Sequence, residues 1–223
     1  MSGNEGCAAL AEVMESRGNV YRVLSRCFRE EVDAAFAGEL ADGFAFESDD
    51  AALTGPLAEM RGALAGISED GIEQLAVTFD RVFFGMGPLT ARHAFPYESV
   101  YTSDRGIMMQ EAYAQVVHAY REQRLAKDPS FTEPEDHIAV ELAFMATLAD
   151  RTAAFLMQGA EEAAEETVRQ QLGFVREHLL NWADRFCADL RTAAGDAFYA
   201  NLADFTLAFL RADEAALAEM LVD

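Results

Sequence analysis

The residues of this chain best suited to chemistry fall in one short run, Glu133-Pro134-Glu135-Asp136-His137, with Glu141 four residues on. Carboxylates grouped this closely can take the paired N–H donors of a guanidinium through short, charge-assisted bonds. A histidine beside them can donate or accept a proton near neutral pH. The same run could serve a plainer end, since acidic residues stabilise the positive end of a helix and His137 faces Glu141 at i,i+4. A second cluster, Tyr97-Glu98-Ser99 with Tyr101, lies in a stretch without helical period. Aromatic residues there either meet a ligand or plug the loop onto the core, and Glu98 could cap a short helix. Phe83, Phe84 and Met86, just upstream, read as core residues, with groove lining as the alternative.

Other chemistries find no support. His93, His118, His137 and His178 are scattered, and no H-E-x-x-H occurs. His137 and Glu141 would need a distant third ligand to hold a metal. Lys127 is the only lysine and no G-x-x-x-x-G-K-[ST] is present, so a P-loop is excluded. The elbow G-x-S-x-G is also missing. Cys7, Cys27 and Cys187 form no C-x-x-C and are expected to stay reduced. The reading is a non-enzyme with no cofactor and no metal. A net charge of −22 repels nucleic acid phosphate and anionic lipid, so neither is an expected partner. That charge attracts basic segments, or serves only to keep the protein dissolved.

The elements that must position these residues are helical. With 223 residues, 51% of them hydrophobic and only 5 prolines, the composition suits one all-α domain spanning 1–223, a bundle of about eight to ten helices. No apolar run is long enough to cross a membrane. The first fifteen residues lack the basic start and apolar centre of an export signal, which points to the cytoplasm. Apolar spacing predicts a helix over 5–30, with Gly18 a tolerated weak point, and a shorter one over 31–40. Asp49 or Asp50 should cap a helix over 51–65, interrupted near Gly55-Pro56. Ser68 opens another, which stops at Gly85-Met86-Gly87-Pro88. Residues 85–106 read as a long ordered loop, and 108–125 as a helix. Thr132 and Glu135 form a capping box with Pro134 in the first turn, so the central helix is expected to run from there to about Gln158. A helix over 161–176 follows, then one from Phe198 to Leu210 and a separate tail helix over 212–221.

Three stretches carry a family resemblance. Glu133-Pro134-Glu135-Asp136-His137, with Glu141-Leu142 after it, resembles the signature of the TorD/DmsD family of redox-enzyme maturation chaperones. Pro96-Tyr97-Glu98-Ser99-Val100-Tyr101, preceded by the aromatic run Phe79 to Gly85, is similar to that family's Pro-x-Glu-Ser-Val-Tyr element. His178-Leu179-Leu180-Asn181-Trp182 is similar to its His-Leu-x-x-Trp element. Asp184 stands where members often place proline, which implies a less kinked join.

The resemblance implies a cytoplasmic chaperone that binds the twin-arginine signal peptide and apo-form of a molybdoenzyme catalytic subunit, aids cofactor insertion and delays export. It also implies a signal-peptide-binding site. Asp136 would pair with a leader arginine, His137 would hydrogen-bond beside it, and Glu133 and Pro134 would shape the entrance. Tyr97, Glu98, Ser99 and Tyr101 would join them. Family members occur as monomers and as helix-exchanging homodimers, for which residues 85–96 could be the hinge. Two other partners stay open: a non-exported client, as for a nitrate-reductase-type assembly chaperone, and an unrelated basic protein bound by an acidic adaptor.

Overall fold

Among the described residues, 2–87 and 91–222 of a computed structural model, ten α-helices follow one another and no strand forms. They are α1 (Ser2–Arg29), α2 (Ala34–Gly38), α3 (Ala51–Leu64), α4 (Glu69–Phe83), α5 (Glu98–Thr102), α6 (Glu111–Glu122), α7 (Ile138–Met157), α8 (Glu161–Phe174), α9 (Ala183–Ala194) and α10 (Ala197–Glu219). One π turn, Glu39–Gly43, continues α2, and another, Val175–Leu179, continues α8. Pro88, expected to complete the break after α4, lies outside the described residues, as do Leu89 and Thr90.

α7 is the centre. Thirteen of its 20 residues are buried, because its apolar positions surround the helix rather than line one face. Its most extensive neighbour is α1. The two run antiparallel: Cys7 meets Glu161 beyond the far end of α7, Arg22 pairs with Asp150, and the Ser25 hydroxyl donates to the Ala139 carbonyl near its start. Gly18 lies where a Cβ would stand 2.9 Å from Asp150 Oδ1, so the glycine leaves room for the Arg22–Asp150 pair. α8 packs on α7, and α10 packs on α3 and α9. One apolar cluster joins them all.

Caps fall where the sequence places them at Asp50, which accepts from Ala52 N–H, and at Ser68, which accepts from Gly71 N–H. Four expectations are corrected. α3 runs unbroken through Pro56. The residues beside and one turn before it, Gly55 and Ala52, are exposed, so the carbonyl that proline leaves without a donor can turn to water. The tail is one helix, α10, with no break between Leu210 and Ala212, and Asp213 just beyond is buried against α1. Its carboxylate takes Arg17 Nε and Nη2 at 2.5 and 2.9 Å and the Tyr21 hydroxyl at 2.7 Å. The 85–106 loop contains a helical turn, α5. α6 begins only at Glu111, since Met109 is held at φ 58°, outside helical space.

Candidate functional site

The central helix starts five residues later than the capping box suggests. His137 is its N-cap, and the Nδ1 atom accepts the Ala139 N–H at 3.1 Å. The preceding residues pair instead with a distant stretch of chain. Ile138 N–H donates to the Pro96 carbonyl and Glu98 N–H to the Asp136 carbonyl, each at 2.9 Å, an antiparallel bridge between Tyr97 and His137. Backbone groups already satisfied across this bridge have no need of a helical first turn. Glu133 and Glu135 therefore lie outside the helix, and Glu141 occupies its first turn.

The bridge brings the first two sequence markers together, and the π turn after α8 adds the third. Asp136 Oδ2 accepts the Ser99 N–H at 3.0 Å and also the Ser99 hydroxyl, whose oxygen accepts the Gln110 N–H. Glu98 accepts from His178 Nδ1 at 3.1 Å and from Asn181 Nδ2 at 3.3 Å. Trp182 donates its indole N–H to Glu141 Oε2 at 3.3 Å, and its ring stacks on Tyr101 with centroids 5.4 Å apart. Tyr97 and Phe131 each meet the His137 ring edge-on at 5.2 Å. The Tyr120 hydroxyl donates to the Glu135 carbonyl.

Three carboxyl groups are thus enclosed together. Glu98 is 1% exposed, and Asp136 and Glu141 are 0%. Desolvation first, then the charges of Glu98 and Asp136, push Glu141 well above the usual carboxylate range. Burial lowers His137 to about 3, with Lys127 adding to the effect, so its ring is neutral. Burial, the bond to Glu133 and the neighbouring acids raise the Tyr97 phenol. Glu141 Oε1 and Asp136 Oδ1 have no hydrogen-bond partner.

Of the residues expected at a binding surface, Tyr97, Glu98, Ser99, Asp136 and His137 are buried. Glu133, Pro134 and Tyr101 are half-buried and reach the surface. Tyr97 donates its hydroxyl to Glu133 Oε2 at 2.5 Å, joining the inner and outer groups. Glu98 does not cap α5; its side chain turns inward to His178. Phe83 is core, whereas Phe84 and Met86, read as core, are 44% and 61% exposed. α4 ends at Phe83; Phe84 keeps only an edge-on contact with Phe79, centroids 5.7 Å apart, and Gly85 at φ 70° turns the chain away before Met86.

Sequence reasoning left His178, Asn181, Trp182, Tyr120 and Gln110 out of the site. A marker signal existed for the first three, but nothing in their spacing told which acid they meet. Among the described residues no group of three or more His, Cys, Asp and Glu is arranged to hold a metal ion.

Two openings flank the network. An apolar groove beside the Glu133–His137 run is lined by Tyr120, Leu125, Phe131, Val140, Ala143 and Phe144, with Arg29 and Lys127 at its rim. A polar cleft on the other side has Glu98 and Asn181 in its wall, with Asp104, Arg105 and Glu111 around it. No helix among the described residues is long and apolar enough to cross a membrane.

Comparison with known proteins shows the family. The family model described as nitrate reductase delta subunit matches residues 46–188, which include all three markers. The relative named chaperone protein TorD from Shewanella piezotolerans is 29% identical over 220 residues, covering 90% of this chain and 92% of its own. The protein of that name from Photobacterium profundum is 31% identical over 167 residues, 74% of each chain. The one from Aliivibrio salmonicida is 28% identical over 214 residues, 92% of this chain and 95% of its own. These relatives are named as chaperones and not as enzymes. The chain belongs to the nitrate reductase delta subunit family, in which its relatives are TorD chaperones.

Proposed function

We propose that this family member is a molybdoenzyme maturation chaperone, one that binds the twin-arginine leader and the apo-form of a catalytic subunit in the cytoplasm and holds both until the cofactor is inserted. The observation that carries the reading is the pairing of half-exposed Glu133, Pro134 and Glu135 with an apolar groove immediately beside them. Leader guanidinium groups would engage the carboxylates of Glu133 and Glu135. Competition there is modest, since Lys127 stands 3.9 Å from Glu135. The apolar part of the leader would lie over Leu125, Phe131, Val140 and Phe144. Asp136, His137 and Ser99 would act from beneath, fixing the backbone that presents Glu133. Burying about 400 Å² of apolar leader would contribute about 10 kcal/mol gross. Ordering a flexible peptide offsets several of these, which leaves about micromolar affinity, weak enough for release.

The test is calorimetric titration with a twin-arginine leader and with a control in which both arginines are alanine. Micromolar heat that weakens in the control and with added salt supports the reading. A second reading draws on the family model, whose description is a nitrate reductase subunit: a client that is not exported. Binding of whole apo-enzyme with no response to any leader would favour that reading. Silence toward both would sink the chaperone function.

A further inference from the structure

The enclosed network holds more acid than base. α5 supplies Glu98, the segment before α7 supplies Asp136 and the neutral His137, with the half-exposed Glu135 outside them, and α7 supplies Glu141. α6 contributes only the Tyr120 phenol, and the π turn after α8 contributes His178. Asn181 and Trp182 add neutral donors. The two cations at its edge are engaged elsewhere. Arg185 binds the carbonyls of Tyr101 and Asn181, and Lys127 binds the Glu133 carbonyl. Two imidazoles, His178 and the neutral His137, therefore accompany three buried carboxyl groups, and uncompensated charge there is costly.

The hydrogen bonds show where the remedy lies. Glu141 Oε2 accepts the Trp182 N–H, while Glu141 Oε1 is buried with no partner. Glu98, whose charge is the first of the neighbouring acids' to raise Glu141, accepts one donor at each oxygen and has lone pairs left over. An ionised Glu141 would leave Oε1 unmatched against a second carboxylate, whereas as O–H it becomes the missing donor. We infer that Glu98 and Glu141 hold one proton between them, and that this shared proton is a clasp joining α5 to the first turn of α7. The bond runs from Glu141 Oε1–H to a Glu98 carboxylate oxygen, and the pair carries one negative charge, which His178 and Asn181 face. Like carboxyls in contact cannot both ionise without losing this bond. Removing the proton loosens the loop that carries Tyr97, and with it the hydroxyl that steadies Glu133.

Trp182 makes the inference directly measurable. It is the only tryptophan in the chain, and its indole N–H rests on Glu141. Its emission, excited where tyrosine does not absorb, should follow the charge on Glu141 while far-ultraviolet circular dichroism shows the helices intact. The wild type should give a single one-proton transition well above the ordinary carboxylate range. Glu141→Gln should abolish it, and Glu98→Gln should move it to lower pH. Infrared spectra should show a protonated-carboxyl band that is missing in Glu141→Gln. Emission flat with pH in the folded wild type would overturn the inference. So would a transition that survives Glu141→Gln, or one that Glu98→Gln leaves in place, since the proton would then belong elsewhere or to Glu141 alone. Failure of Glu141→Gln to fold would also count against it, because an amide can donate where the proton is placed.

Discussion

His178 Nδ1 lies 3.1 Å from Glu98 Oε2 although 80 residues separate them in the chain. The contact joins the π turn after α8 to the first residue of α5, and both partners are buried. His178→Ala would leave Glu98 with Asn181 as its remaining donor from that side. The expected cost is about 2–4 kcal/mol of stability, the penalty for stranding a buried charged group. Urea unfolding of His178→Ala, Glu98→Gln and the double variant measures it. The double variant should lose clearly less than the sum, because the two residues act on one bond.

Two buried groups set opposing pH dependences. Glu141 is raised well above its ordinary 4.5, so it binds its proton more tightly folded than unfolded. The stability it contributes is complete below 4.5 and is lost as pH rises toward its folded value. His137 is lowered from 6.5 to about 3, so its contribution is complete above 6.5 and is lost as pH falls toward 3. Between 4.5 and 6.5 the two slopes oppose. Stability should therefore be nearly level there and decline on either side by up to about 1.4 kcal/mol per pH unit. Glu141→Gln should flatten the alkaline limb alone, as urea midpoints measured across pH would show.

The Arg17–Asp213 pair, reinforced by Tyr21, should be the costliest single contact to break outside the site. Arg17 is 7% exposed and Asp213 4%. Asp213→Ala would strand a buried guanidinium and is expected to lose about 3–5 kcal/mol. Arg17→Met with Asp213→Leu, which removes both charges and keeps the volume, should recover most of it. Thermal or urea unfolding distinguishes the two.

At the outer surface, Glu133→Gln with Glu135→Gln should weaken leader binding about tenfold, or about 1.4 kcal/mol, with little change in stability. The salt dependence of binding should shrink alongside. Ala143 is exposed in the groove, so Ala143→Trp should obstruct the apolar part of the leader while the arginine contribution persists. Calorimetry of both variants with wild-type and arginine-free leaders separates the two halves of the site.

The helices were readable because their physics is local. Apolar spacing located α1, α4, α7 and α8, and Asp50 and Ser68 were found from cap chemistry alone. The start of α7 was not readable, because Thr132 and Glu135 satisfy the local capping rule while the backbone of 136–138 is claimed by residues 96–98. The break expected between Leu210 and Ala212 was misplaced for the same reason: nothing local shows that Arg17 and Tyr21 reach across from α1 to Asp213. In the site, the markers named residues that the structure brings together but could not tell inner from outer. Asp136 and Glu133 are both acids three positions apart, and only the Tyr97–His137 bridge buries one and leaves the other at the surface.

That bridge and the bonds around it close long spans of chain: 37 residues from Ser99 to Asp136, 41 from Glu141 to Trp182, and 80 from Glu98 to His178. Helical bonds close over four residues and form early, whereas these closures carry an entropic cost met only once the helices have docked. The network is consequently a late-forming part of the molecule. Substitutions within it should hasten unfolding more than they slow folding. A half-folded copy would possess the helices but not the surface carrying Glu133, and so, with the client site proposed above, could not occupy a client unproductively.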